Sequence, residues 1–527
     1  MMGYPDRRLS FSLWKRLGTH LLWVYLVAFA TANFGWSQAN HLERALHFLS
    51  QGKLDSASHE ARLALADPAT QPQAWGILGT ILLRQGKGGE AVKDLEQAIA
   101  LNPRLVGARI NLGEAFLSLG QTASAEQAFK SALRLAPDNF NAHLDLAELQ
   151  TSLHHYRQSL ETAKPIMSQL RQTDEGLVLL ATDYLALQQN EKVKQVIEDW
   201  IARPASNAEL AMRFSRLLFQ YKMPREAAEI LEKTQNTGHP SYSVALALAN
   251  LDGLLGRLAQ AEQNYQLALR LKPDCAVCDL GIAQIAEREK QTEKALAYLI
   301  RARQLDPDSP EVLFEFGKVC LERDLVDDAF NALQKAVALE PHRDSYVYVL
   351  ASAYVAKARY TEAASLLSQL LQKHPGDPVL NYAAGAVSYL QTRYPQAQAL
   401  LKKSIALQPH QLAAYYYLGL VYERERQNTE AIHLFRQLVR RYPEHAPSYV
   451  ALGTVLLREK EYQQAQEALN KAILLDPDSS DAHYQLGMLL GRIGKTAESS
   501  REIAIARKLE ADVRRKNESD LHLLLPD

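Results

Sequence analysis

Cysteine is scarce in this chain, and neither sign of charge is in excess. Three cysteines in 527 residues are too few for a disulfide scaffold. The 59 basic and 60 acidic side chains give a formal net charge of −1, so nucleic acid is not an expected partner. By contrast, 47% of the residues are hydrophobic, which is enough to build a buried core. The composition indicates a folded, helix-rich chain.

Sequence motifs of common enzymes are also missing. The chain contains no H-E-x-x-H, no G-x-S-x-G and no phosphate-binding glycine loop. His154 and His155 are adjacent, so on a helix their side chains would point apart and make poor joint metal ligands. We therefore predict that the chain is not an enzyme and that it holds no cofactor or metal.

The first 39 residues have the layout of an export signal. Basic side chains up to Arg16 precede an apolar stretch, residues 21–32, and small residues follow at Ser37 and Ala39. Cleavage after Ala39 would give an exported protein, periplasmic or secreted if bacterial. The alternative is a retained membrane anchor, since residues 17–38 carry no Asp, Glu, Lys or Arg.

Prolines recur in the chain at a fixed interval of 34 residues. They stand at Pro103, Pro137, Pro273, Pro307, Pro341, Pro375, Pro409, Pro443 and Pro477, and the longest gap equals four intervals. A constant period of this length indicates a repeat protein. With proline at position 32, fourteen repeats start at residues 38, 72, 106, 140, 174, 208, 242, 276, 310, 344, 378, 412, 446 and 480.

Two positions of the repeat hold small side chains. Position 8 is Gly, Ala or Ser in all fourteen repeats, and position 20 is Ala in eleven, with Ser159, Val193 and Ser499 as the exceptions. Positions 7, 11 and 24 are mostly large and apolar. Small residues let two helices cross closely, so the pattern predicts a pair of packed helices in each repeat.

This pattern resembles that of the tetratricopeptide repeat family. In the repeat at 72 the resemblance is carried by Trp75, Leu78, Gly79, Ala91, Leu95, Ala98 and Pro103. It implies an all-α fold, a right-handed superhelical solenoid of helix-turn-helix repeats over residues 38–513. The tail, residues 514–527, would then complete a C-terminal cap, with Leu521 to Leu525 covering the last interface.

Residues 160–240 depart from the pattern. The repeats at 140, 174 and 208 lack the in-phase proline, and Pro165 falls inside a second helix. An interior proline kinks or breaks a helix. We predict a flexible seam here rather than a domain boundary.

The resemblance also implies that positions 2, 5, 9, 12 and 13 of each first helix line a groove for protein or peptide partners. Position 5 is aromatic in four consecutive repeats. With Tyr389 at position 12, these rings give the predicted partner-binding residues Phe314, Tyr348, Tyr382, Tyr389, Tyr416 and Tyr484. The alternative is that position 5 packs on the neighbouring first helix and the rings only line it.

Charged groove positions give no single preference for a ligand. Glu114, Glu148, Arg216, Lys318 and Glu423 are of mixed sign. Some members of the family clamp a terminal carboxylate with Lys and Asn, but here only Asn111 matches. Gly76 and Thr80 stand where basic residues would be needed, which argues against such a clamp.

Cys275 and Cys278 form a C-x-x-C sequence just after Pro273. A redox pair is one interpretation, because a helix start lowers a thiol pKa. A structural disulfide or two inert thiols is the favoured one, since the chain has no thioredoxin-like strand pattern and too few other ligands for zinc.

The leading hypothesis is an exported, non-catalytic scaffold or adaptor that binds proteins or peptides in its groove, with envelope assembly or secretion as candidate processes. Membrane contact would be limited to the N-terminal segment. The alternatives are a glycan-associated binding protein that uses the tyrosines and a regulatory subunit of a separate enzyme.

Overall fold

A computed structural model of the chain describes residues 41–204, 207–237 and 240–516. None of these residues lies in a β-strand, and nearly all of them are in helices or the short turns between them. The prediction of an all-α fold is therefore confirmed.

Internal contacts divide the chain into two compact bodies, residues 1–257 and residues 258–527. The helices described in the N-terminal body are His41–Ser50, Leu54–Ala64, Gln71–Arg84, Gly88–Leu101, Val106–Ser118, Thr122–Leu135, Phe140–Ser152, Tyr156–Ala163, the 3₁₀ turn Lys164–Ile166, Met167–Leu170, Asp174–Ala186, Asn190–Ala202, Ala208–Gln220, Pro224–Thr237 and Tyr242–Leu254. Those described in the C-terminal body are Leu258–Leu271, Ala276–Arg288, Thr292–Leu305, Pro310–Glu322, Val326–Leu339, Asp344–Ala356, Tyr360–Lys373, Pro378–Leu390, Tyr394–Leu407, Leu412–Arg424, Asn428–Arg441, Ala446–Arg458, Tyr462–Leu475, Ser480–Arg492 and Thr496–Lys516.

Local sequence signals set the ends of these helices. Second helices end just before the recurring prolines, as Gly88–Leu101 does before Pro103, because proline cannot continue a helix. Several first helices begin after a side chain that accepts a hydrogen bond from a free backbone N–H of the first turn. Such caps are Asn139, Thr173, Asn207, Ser309, Asp377 and Ser479.

Small residues bring the two helices of a repeat together. All eleven position-20 alanines are fully buried: Ala57, Ala91, Ala125, Ala227, Ala261, Ala295, Ala329, Ala363, Ala397, Ala431 and Ala465. Position-8 glycines lie directly against the position-24 side chain of the same repeat. A Cβ at Gly79 would come within 2.5 Å of Leu95, and one at Gly113 within 2.4 Å of Phe129. The side chain at position 24 therefore fills the space that the glycine leaves open.

The turn between the two helices has a feature that sequence inspection missed. Position 15 has a positive φ in every repeat, from Gly52 (φ 73°) to Gly494 (φ 83°). Five of the fourteen residues there are glycine, and the other nine hold the left-handed conformation with a side chain. Left-handed backbone costs a residue with a Cβ about 1–2 kcal/mol. Helix packing thus dictates the turn geometry even where the local residue opposes it.

Ala358 (φ 55°) is the position-15 residue of the repeat at 344 and is exposed. We expect Ala358→Gly to raise the free energy of unfolding by about 0.5–1 kcal/mol, because the gain in turn geometry exceeds the entropic cost of glycine. Urea unfolding followed by circular dichroism measures the change. The control is Ala356→Gly, two residues earlier at the helix end, which should instead destabilise by about 1 kcal/mol. Equal destabilisation by both variants would contradict the prediction.

The irregular repeats use larger side chains to fill their core. The second helix of the repeat at 140 is interrupted at Pro165, as predicted: it ends at Ala163 and continues through a 3₁₀ turn into Met167–Leu170. Position 27, which is alanine in eight of the other repeats, is Trp200 in the repeat at 174. Trp200 is 1% exposed and packs edge-on against Phe214, with ring centroids 5.1 Å apart. The flexibility of this seam stays a prediction.

A buried carboxyl group also belongs to this region. Asp183 is fully buried, and the Thr151 hydroxyl donates to its Oδ1 at 2.7 Å and lies 2.9 Å from the hydroxyl of Ser159. Ser159 thus replaces the usual position-20 alanine with a hydroxyl that joins this polar cluster. Burial raises the pKa of Asp183 to about 6, although hydrogen bonds from Ser159 and Thr151 oppose the rise.

The raised pKa of Asp183 makes stability depend on pH. The folded state favours the protonated acid, so its contribution is complete below the ordinary pKa and is lost as the pH rises towards 6. We expect wild-type protein to lose about 2 kcal/mol more stability than Asp183→Asn between pH 4 and pH 7. Urea unfolding at both pH values tests this. Glu191→Gln, a change of an exposed carboxylate, should behave as wild type; parallel curves for all three proteins would refute the expectation.

Several terminal predictions lie outside the described residues. These are the export signal (1–39), the alternative anchor (17–38) and the leucine cap (521–525). The last helix runs from Thr496 to Lys516, so the helical part extends three residues beyond the predicted end at 513. Among the helices of the described part of the chain, none has the length and apolar character needed to cross a membrane.

Candidate partner-binding face

One stripe of each first helix carries the side chains predicted to meet a partner. Positions 5, 9 and 13 are four residues apart and therefore lie on the same side of the helix. In the repeats at 344 and 378 the side chains at positions 5 and 9 of this stripe are buried, and we call the stripe closed there. Tyr348 and Tyr382 are only 9% and 4% exposed, and Ser352 and Ala386 behind them are 2% and 0% exposed.

In the last three repeats the side chains of the same stripe are exposed or half-buried, and we call the stripe open there. Tyr484 is 46% and Met488 37% exposed, while Tyr416, Leu420, Val450 and Thr454 are half-buried. An exposed arginine ends each stripe. We name this surface the C-terminal face; its residues are Tyr416, Leu420, Arg424, Val450, Thr454, Arg458, Tyr484, Met488 and Arg492.

Burial changes the interpretation of the predicted partner-binding rings. The rings pack on each other through Tyr417, whose centroid lies 6.0 Å from that of Tyr382, 5.7 Å from Tyr389 and 5.9 Å from Tyr416. Phe314 stacks on Tyr346 at 4.5 Å. Burial also raises the pKa of the Tyr348 hydroxyl.

For Tyr348 and Tyr382 the hypothesis of open partner contacts therefore needs correction, because the neighbouring helices cover both rings. Phe314, Tyr389 and Tyr416 remain half-buried, and Tyr484 is exposed. Tyr346 and Tyr417 were not predicted, since they stand at positions 3 and 6, outside the assumed stripe.

In several repeats an arginine at position 13 ties the repeat to the one before it. Arg84 Nη1 donates to the Leu49 carbonyl at 2.8 Å, Arg458 Nη1 to the Glu423 carbonyl at 3.3 Å, and Arg492 Nη1 to the Leu457 carbonyl at 3.4 Å. These carbonyls lie in the last turn of the preceding first helix, where the chain leaves acceptors unused and the helix dipole favours a cation. The recurrence of arginine at position 13 was a visible signal that sequence reasoning did not use.

The C-terminal face carries a different charge from the mixed set of the groove as a whole. Glu423 pairs with Arg458 at 2.8 Å, and its side chain is only 11% exposed. Arg424 donates to the Tyr389 hydroxyl at 3.3 Å. Neither Arg424 nor Arg492 makes an ion pair within the described residues. The exposed charge of this face is therefore positive.

Acidic side chains outnumber basic ones in a charge cluster on the repeats starting at 276 and 310. Lys318 Nζ lies 3.3 Å from Glu287 and 2.8 Å from Glu315, so two carboxylates share one ammonium group. Burial, followed by repulsion from Glu315, raises the pKa of Glu287 to about 7. Lys318 also lies 5.8 Å from the Phe314 ring centroid.

First helices of the N-terminal body also carry buried charge. Burial raises the pKa of Glu114 to about 7, although Arg84 opposes the rise. Asn111 donates to Thr80 Oγ1 at 2.7 Å and so links two adjacent first helices. This bond gives the one matching residue of the carboxylate clamp a structural role.

Cys275 and Cys278 form a disulfide at the start of helix Ala276–Arg288. Both residues are buried, and the Cys275 sulfur accepts a hydrogen bond from the Cys278 backbone N–H at 3.1 Å. The pair thus caps the helix. Cys320, the remaining cysteine, is buried, and burial raises its pKa to about 12.

Comparison with known families identifies the repeat. Two sequence models described as tetratricopeptide repeat match residues 42–106, 78–140, 224–310 and 386–446, and residues 117–181, 321–387 and 424–493. Together these ranges include more than half of the chain. The chain belongs to the tetratricopeptide repeat family. Residues 182–223, which contain Trp200, lie in neither set of ranges, in keeping with the larger side chains found there.

Several curated proteins resemble this chain at low identity. The Arabidopsis thaliana protein CTR9 homolog is 23% identical over 288 residues, 52% of this chain and 26% of that protein. Human protein O-mannosyl-transferase TMTC1 is 24% identical over 204 residues, 37% of this chain and 23% of that protein. Chicken DnaJ homolog subfamily C member 3 is 21% identical over 328 residues, 56% of this chain and 65% of that protein. The chain thus matches only about a quarter of the length of the first two.

Among solved structures, the APC/C hetero-tetramer Cut9–Hcn1 is similar with a TM-score of 0.43 and 15% identity, covering 86% of this chain and 97% of that one. Yeast Tom70 gives a TM-score of 0.32 at 16% identity, covering 92% and 97%.

Proposed function

We propose that this protein is an exported, non-catalytic scaffold that binds segments of partner proteins on the C-terminal face. Tetratricopeptide repeats are protein-interaction modules, and this family membership supports the general role. The observation that carries the specific proposal is the contrast along one stripe: closed at Tyr348 and Tyr382, and open at Tyr484 and Met488. Exposed aromatic and arginine side chains are the ones enriched where proteins bind.

The burial of most of the predicted partner-binding rings favours polypeptide over sugar as the ligand. Sugars stack on exposed ring faces, but two of the predicted partner-binding rings are buried and three others are half-buried against neighbouring rings. One relative is named as a transferase, but this chain matches only about a quarter of that protein's length. The name therefore gives little support to an enzymatic alternative.

Export rests on the layout of residues 1–39. A buried disulfide in the described part of the chain supports it, because disulfides persist in oxidising compartments. N-terminal sequencing of the mature protein separates cleavage after Ala39 from a retained segment.

Selection of a random peptide library on the purified protein tests the binding role. We expect the selected peptides to bind the Tyr484→Ser, Met488→Ser double variant about tenfold more weakly, because the variant loses exposed apolar area at the interface. Fluorescence polarisation with labelled peptides measures the change.

Leu474→Ser is the matched control for this experiment. Leu474 is 73% exposed in the same body but lies on a second helix, away from the C-terminal face. Its replacement should leave peptide affinity unchanged. Equal loss in the control and the double variant, or no enriched peptide at all, would count against the proposal.

A further inference from the structure

We infer that the partner segment held by the C-terminal face is acidic and extended, with carboxylates on the arginine row and apolar side chains on Tyr484 and Met488. This inference rests on the proposed function and names the chemistry of the ligand. It differs from a terminal-carboxylate clamp, whose residues are missing at Gly76 and Thr80.

The arginine row is the first element of the argument. Arg424, Arg458 and Arg492 stand at the same position of three consecutive repeats, and all three are exposed. Each uses one or two donors to fix itself on the preceding repeat, so the guanidinium group is held in place before a ligand arrives. A guanidinium carries five donors in a rigid fork, and the remaining donors can bind a carboxylate.

The net charge of the arginine row indicates the sign of the charge on the ligand. Arg458 is paired with Glu423, and the Glu423 carboxylate also acts electrostatically on the adjacent Arg424, but neither Arg424 nor Arg492 makes an ion pair of its own within the described residues. In helix Ser480–Arg492, the acid on the same side as the stripe is Asp481. It lies at the start of the helix, eleven residues before Arg492. An acidic segment would therefore gain charge-assisted hydrogen bonds at two sites without meeting an exposed carboxylate on the same row.

The spacing of the arginines sets the form of the ligand. Adjacent first helices pack at about 8–10 Å between axes, so neighbouring arginines on the row are about one such step apart. An extended chain advances about 3.3 Å per residue, which places one acid every third residue opposite successive arginines. The residues between them can then reach the apolar part of the face at Val450, Tyr484 and Met488.

Three labelled probes test the inference on the full protein. Each is an 18-residue synthetic peptide of leucine and serine in which every third residue is glutamate, glutamine or lysine. We expect the glutamate probe to bind about tenfold more tightly than the glutamine probe, and its affinity to fall with added salt. The lysine probe should bind no better than the glutamine probe.

Variants then locate the effect. The advantage of the glutamate probe should disappear in Arg424→Gln, Arg492→Gln and should persist in Arg288→Gln, which changes an arginine at the same repeat position outside the face. Circular dichroism and thermal melting establish that the variants are folded. Equal binding of the glutamate and glutamine probes, or an advantage that survives in the double variant, would overturn the inference.

Other occupants give distinct results. Self-association that increases with concentration and is abolished by Arg424→Gln, Arg492→Gln would assign the face to a second copy. Tighter binding of a peptide with the sequence of residues 517–527 than of the glutamate probe would assign it to the chain's own acidic tail. Either result overturns the inference, whereas peptides selected from the random library decide separately on the proposed function.

Discussion

Replacement of Trp200 by alanine is expected to lower the free energy of unfolding of the N-terminal body by about 3–5 kcal/mol. The indole is 1% exposed and lies edge-on to Phe214, which is fully buried in the following first helix. Alanine fits at the same position of regular repeats such as those at 72 and 106, but here the helices leave a space that only a large side chain fills. Urea unfolding monitored by circular dichroism at 222 nm measures the loss.

Two further variants show whether volume is the cause. Trp200→Phe keeps most of the packing and removes an indole N–H that has no hydrogen-bond partner within the described residues, so it should cost less than about 1.5 kcal/mol. Phe219→Ala removes an exposed ring from helix Ala208–Gln220 and should change stability by less than about 0.5 kcal/mol. A Trp200→Ala protein as stable as Phe219→Ala would show that the space collapses without cost.

Replacement of Gly419 by valine is expected to destabilise the C-terminal body by about 3 kcal/mol. A Cβ at this position would lie 2.5 Å from the ring of Phe435, which is fully buried and cannot move aside freely. Valine adds two further methyl groups at the same crossing. The two helices of the repeat must then separate, and every contact along them weakens.

Gly107→Val is the control for this prediction. Gly107 is also a helical glycine, but a Cβ there would meet no atom within 4 Å. Its replacement should change stability by less than about 0.5 kcal/mol. A small effect at both sites in urea unfolding would mean that the repeat tolerates a wider crossing than the structure indicates.

Sequence reasoning succeeded where the same residue type recurs for a local physical reason. Proline at position 32 ends the second helix, and alanine at position 20 is buried at a close crossing, so both signals predict the helical pair directly. The break at Pro165 followed from the same rule. In each case the cause lies within one repeat and can be read from its own residues.

Predictions about exposure were weaker because they depend on neighbouring repeats. Tyr348, Tyr382, Tyr416 and Tyr484 share position 5, yet their exposure runs from 4% for Tyr382 to 46% for Tyr484. Nothing in a single repeat distinguishes them. Their environment is set by the side chains of adjacent first helices, such as Tyr417, which packs against Tyr382 and Tyr416 alike.

The sequence by itself determined the helical class, the 34-residue period and the ends of most helices, because proline, glycine and alanine act through short-range geometry. Only the tertiary structure decided that position 15 is left-handed throughout, that Trp200 is buried against Phe214, and which tyrosines remain exposed. These features arise from how one repeat packs on the next. Packing between repeats depends on pairs of side chains about 34 residues apart, and a periodic pattern does not reveal which members of each pair are covered.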